Sequence, residues 1–114
     1  MELTIKEALQ RGTEAHKNGK LEDAERFYRA ILKSQPNHPD ANHNIGVIAI
    51  TLNKPDLALP FLKNALDFNP KIEQFWLSYI KALIQKNEIE IAKQTIEKAQ
   101  NQGILFHPTL NQGS

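Results

Sequence analysis

Four histidines, three serines and thirteen carboxylates are the side chains of this 114-residue sequence best suited to chemistry. His16, His38, His43 and His107 offer no pair at metal-ligand spacing on one helical face with a third ligand beside it. They are expected to be polar surface residues, and no metal is expected. Ser34, Ser78 and Ser114 lie outside any Gly-x-Ser-x-Gly elbow, and neither a Walker loop nor a Gly-x-Gly-x-x-Gly turn occurs. With no cysteine there is no thiolate zinc site, disulfide framework or cysteine nucleophile. Glu22, Asp23 and Glu25 stand close to Arg26 and Arg29, at spacings that make ion pairs on a solvated helix face. The chain is therefore expected to be no enzyme and to use no cofactor.

What remains is a surface, and the elements that present it have to be found first. A net charge of +1 is too balanced for a nucleic-acid partner. No run approaches the 18 or so apolar residues of a membrane span, and the N-terminus MELTIKEALQRG lacks a signal pattern. Neither nucleic acid nor membrane is an expected partner, and a cytoplasmic setting is expected.

One offset organises the chain. Gly12, Ala15, Lys20, Ala24, Phe27, Leu32 and Pro36 return 34 residues later as Gly46, Ala49, Lys54, Ala58, Phe61, Leu66 and Pro70. The same step carries Asn53, Ala58 and Ala65 to Asn87, Ala92 and Ala99. Within each copy the apolar residues recur at three and four, and each break carries Asn, Gly or Pro. Thr4 with Glu7 predicts a capping box and a helix to about Lys17. Further helices are predicted over about 21–34 and 39–51, then from a cap at Asp56 to about Phe68. Pro60 would fall at the end of that helix's first turn. Two more helices fill the third copy, closed by Gly103 with Ile104. Gly12 and Gly46 are expected to face Ala24, Ala58 and Ala65 where paired helices cross.

This pattern resembles the tetratricopeptide repeat over residues 5 to about 104. Gly12, Gly46, Ala24, Ala58 and Ala92 meet its small-residue positions, and Pro36 and Pro70 its terminal proline. Ile80 departs from the usual glycine or alanine, and Ile104 from the usual proline, which bears on how tightly repeat three packs and where it ends. The stretches HPDANHNIGVIAI and NPKIEQFWLSYIKALI are also similar to repeats ahead of bacterial O-GlcNAc-transferase-like, sulfotransferase and methyltransferase domains. The resemblance implies an all-α fold, a right-handed α-solenoid of three helix-turn-helix repeats at about 5–38, 39–72 and 73–106. These would form one domain over 1–106 with a tail at 107–114.

The resemblance also implies a concave groove that binds a protein or peptide partner. It would be lined by Lys6, Gln10, Thr13 and Lys17, then Asp40, His43, Asn44 and Val47, then Gln74, Leu77, Ser78, Lys81 and Gln85. Only Asn44 fits the clamp with which some such domains hold chaperone C-termini, so that ligand is not expected. Gln10, Asn44 and Ser78 occupy the row where O-GlcNAc-transferase-like repeats carry asparagines, a polar ladder for an extended peptide. The alternative roles are substrate recruitment for a larger bacterial transferase and self-association. The latter rests on Ile89, Ile96, Leu105, Phe106 and Leu110 at an uncapped end, which the tail is not expected to cover.

Overall fold

Helix spacing and helix stops dictate six helices, and the computed structural model, which describes residues 3–106, contains all six. They are α1 (Ile5–Lys17), α2 (Leu21–Ser34), α3 (Pro39–Thr51), α4 (Pro55–Phe68), α5 (Glu73–Gln85) and α6 (Ile89–Asn101). No strand occurs among the described residues. The stops work through backbone handedness. Gly19, Asn53 and Asn87, each 34 residues from the last, take φ of 77°, 58° and 67°, and Gly103 takes 89°. Each turn lets the next amide reach back five residues: Lys20 to Ala15, Lys54 to Ala49 and Glu88 to Leu83, all at 2.8 Å.

The starts are more varied. Thr4 and Glu7 form the reciprocal capping box, and the Thr4 contacts hold the Glu7 carboxyl below its ordinary pKa. His38 caps α3, its Nδ1 accepting the Ala41 amide at 3.2 Å, with Pro39 in the first turn. Asp56 is not the cap of α4. That position is Lys54, and Pro55 needs no cap because it has no N–H to satisfy. Asp56 instead reaches across to Lys86, at 2.8 Å, beyond the end of α5. Pro60 consequently lies inside α4 beyond its first turn, on the solvent side, where water can take the hydrogen bond it removes.

Packing follows the small residues. A Cβ on Gly12 would come within 2.5 Å of the Tyr28 ring, and one on Gly46 would strike Leu62. The glycines therefore receive large side chains from the partner helix; the expected alanine-to-glycine facing is not the main contact. Tyr28 and Leu62 are fully buried as a result. At the third copy Ile80 replaces the glycine, and Ile96, in register with Tyr28 and Leu62, is left half-buried. The α5 and α6 backbones approach less closely than those of α3 and α4. Helices α3 and α5 pack side by side, and the whole forms an elongated helical-repeat solenoid of 48 × 25 × 24 Å.

Beyond Gly103 the chain turns back. Ile104 is buried and Phe106 half-buried against the cluster that holds Trp76, Ile80 and Leu83, while Leu105 points to solvent. Residues 104–106 thus cover part of the last helix pair, where no cover was expected. The apolar residues Ile104 and Phe106 favour this because Ile80 leaves space beside α6. Leu110, His107 and the rest of 107–114 lie outside the described residues.

Candidate functional groove

The first helices of the second and third pairs, α3 and α5, carry one wall each of a groove of about 1030 Å³. Val47, Ile50 and Thr51 come from α3, and Gln74, Leu77, Ser78, Lys81 and Ile84 from α5. The far wall is unexpected: Ile96 and Gln100 of α6, with Ile104, Leu105 and Phe106. It exists because Ile80 keeps α6 from closing down on α5, and Ile80 itself lines the cavity. The lining is mainly aliphatic. Among the described residues Lys81 is its only charged side chain, and it makes no ion pair with any of them.

Beneath the groove runs a line of buried polar groups. His43 Nε2 lies 2.7 Å from Ser78 Oγ, and His43 Nδ1 lies 3.3 Å from Asn44 Oδ1. Since Asn44 Oδ1 can only accept, Nδ1 carries the proton and Ser78 donates to Nε2. The Gln74 amide donates to Ser78 Oγ at 3.4 Å. Toward the first pair, burial raises the pKa of the Tyr28 hydroxyl, against the opposing influence of Thr13 and Asn44. His43 is 8% exposed, Ser78 4%, and the imidazole rests on Phe75 with ring centres 4.7 Å apart. Burial lowers the His43 pKa, against the opposing influence of Asn44 and Asp40. A second tie, Gln85 Nε2 to the Ile50 carbonyl at 3.1 Å, repeats the 35-residue step between α3 and α5.

Ser78, His43 and Asn44 stand in the order of a nucleophile, its base and an orienting group. The local backbone does not support that chemistry. Ser78 sits mid-helix, where neighbouring amides are bonded within α5, so no N–H is free to hold an oxyanion. The arrangement joins α3 to α5 and sets the angle between two groove walls.

Residues 39–72 match the tetratricopeptide repeat family. A mutant O-GlcNAc transferase of Thermobaculum terrenum superposes with a TM-score of 0.79 over 89% of this chain, at 21% identity. Residues 39–72 are thus a tetratricopeptide repeat, and the chain has the fold of a solenoid of such repeats. The chain spans 20% of the length of that transferase, and the likeness at this identity is one of fold. No curated protein matches the chain.

In tetratricopeptide terms α1, α3 and α5 are the first helices of three repeats. Val47, Gln74, Leu77, Ser78 and Lys81, read from sequence as groove residues, all line the cavity. Lys6, Gln10, Thr13, Lys17 and Asp40 are exposed but border no part of it, and Asn44 is half-buried. His43 is the clearest departure from the sequence reading, being buried where a surface histidine was expected. Gln85 is engaged with the Ile50 carbonyl. Ile50, Thr51, Ile84, Ile96, Gln100 and the 104–106 turn were missed. The signal for them was Ile80 at a glycine position.

Among the described residues, no group of three metal-binding side chains clusters and no helix is long and apolar enough to cross a membrane. The acidic and basic residues of α2 form exposed pairs, Arg29 to Glu25 at 2.6 Å and Arg26 to Asp23. Arg29 also lies over the Phe61 ring.

Proposed function

We propose that this protein is a non-catalytic binding module that holds a segment of a partner protein in the concave groove, in a cytoplasmic setting. Tetratricopeptide repeats in general mediate contacts between proteins, and this chain is built of them. The observation that carries the reading is the groove itself: a cavity of about 1030 Å³ with aliphatic walls, a lone lysine and amide side chains at Gln74 and Gln100. Aliphatic walls supply burial, and a few placed polar groups set orientation. Lys6, Gln10, Thr13, Lys17, Asp40 and Asn44 extend the same surface toward the first repeat as secondary contacts. The test is affinity for a captured partner. Lys81→Ala and Leu77→Ala are expected to weaken it, with one lost hydrogen bond costing about 0.5–1.5 kcal/mol. Unchanged affinity in both variants would remove the groove as the binding surface.

A second reading follows from the superposition, in which a region of this size forms one fifth of a transferase. The module would then present protein substrates to a catalytic domain encoded in the same reading frame. Its test is whether the gene continues into such a domain, and whether Lys81→Ala alters the choice of protein substrate.

A further inference from the structure

The open end of the solenoid reproduces a seat that is filled inside it. Helix α5 lies on α3 and α4, where Leu62, Ala65 and Leu66 are buried and Ile50 is 9% exposed. One repeat further on, the same positions are Ile96, Ala99, Gln100 and Ile84. Ile84 is 52% exposed, against 9% for Ile50. The difference is the cover that a helix in the position of α5 supplies. Ile104 and Phe106 edge this seat without filling it, and the cavity remains between them and α5.

Two apolar positions inside the solenoid are basic at the seat. Lys81 stands where Val47 stands, and Lys93 where Leu59 packs beside α5. Lys81 is unpaired among the described residues, and Lys93 meets only the exposed Glu90 at 3.6 Å. Glu97, the other acid of α6, occupies the position of Lys63, which is exposed on the outer side and pairs with Asp67. The seat is thus largely apolar with two cations: Lys93 shares the exposed Glu90, which stands at the position of Asp56, and Lys81 has no carboxylate partner among the described residues.

We propose that this end takes an acidic amphipathic helix of the partner protein, seated as α5 is on α3 and α4. Its apolar stripe lies on Ile84, Ile96 and Ile104, and a carboxylate faces Lys81. This rests on the groove reading above and gives its occupant a conformation and a charge. Helix-in-groove recognition of this kind is read through anchors spaced three and four apart.

A peptide copying α5, residues 73–86, stapled across its outer face, is a direct probe because α5 already fills the equivalent seat. Two versions are needed, one with the native lysine at the position of Lys81 and one with Lys81→Glu. Fluorescence anisotropy with the full chain at low salt should show the glutamate peptide binding about two- to five-fold more tightly. Lys81→Glu in the protein should reverse that order. Ile84→Glu, a change at an exposed site, should weaken the glutamate peptide more than ten-fold while leaving the melting temperature in place.

Several results would overturn the proposal. One is the same peptide order in the Lys81→Glu protein; another is no binding of the glutamate peptide to the wild type. Affinity lost on Asn44→Ala instead of Ile84→Glu would move the occupant to the first repeats, and would leave the groove reading intact. A more than ten-fold gain on truncation after Phe106 would assign the seat to the chain's own 107–114. A dimer in light scattering that Ile84→Glu turns into a monomer would assign it to a second copy.

Discussion

Gly46→Ala should change the sign of its effect with the size of residue 62. An alanine Cβ at position 46 would strike Leu62 and sit 2.5 Å from its Cγ, well inside the 3.5–4.0 Å of normal carbon contact. Leu62 is fully buried against Ala49, Ile50, Ala58 and Ala82, so it has no empty space to enter. Overpacking of this kind costs about 2 kcal/mol. Replacing a mid-helix glycine by alanine returns about 1 kcal/mol. The net loss is about 1 kcal/mol, or about 4 °C for a chain of this length. Leu62→Ala alone costs about 3 kcal/mol, being a buried truncation. In that background the collision is gone and only the helix gain remains, so Gly46→Ala becomes stabilising by about 1 kcal/mol. The coupling is then about 2 kcal/mol, large enough for urea unfolding followed by circular dichroism. Equal destabilisation by Gly46→Ala in both backgrounds would refute the contact.

Ala58→Leu, at a position with no exposure, should cost about 1–3 kcal/mol by overpacking, and a melting point equal to that of a surface control would contradict it. Acid should weaken the fold through His43. Its folded pKa lies below the ordinary value, so the unfolded chain takes up a proton first, and stability falls as pH drops below about 6.5 toward the folded pKa. Stability measured against pH should show this loss in the wild type and less of it in His43→Gln, and identical profiles would place the acid sensitivity elsewhere. Thr4→Ala should cost about 1 kcal/mol by removing the capping box, and an unchanged unfolding midpoint would deny the cap that role.

The helices were legible because the 34-residue step and the apolar period agreed with the local breaks: a residue that takes left-handed backbone after α1, α3, α5 and α6, and a proline, Pro36 or Pro70, after α2 and α4. Asn53 and Asn87 show that such a stop does not have to be glycine. The start of α4 was read one turn element late, because Asp56 looks like a cap while Pro55 removes the need for one. The groove was legible on α3 and α5 and not on α6. Sequence periodicity places Ile96 in register with Leu62, but the distance between α5 and α6 depends on how far Ile80 holds them apart. His43 was misread from its residue type alone. It sits on a helix whose Ala41, Asn42, Ile45, Ile48, Ala49 and Ile50 are all buried, and a helix apolar on every side is a central one. Its partner Ser78 comes from the next repeat, a pairing that no local pattern shows.

The most direct measurement places a photo-crosslinking amino acid at Leu77 in the groove, and separately at Lys63 on the outer face, in cells that make the protein. The account predicts a discrete adduct with a partner protein from position 77, diminished by Lys81→Ala, and none from position 63. An adduct from position 63 alone would contradict it.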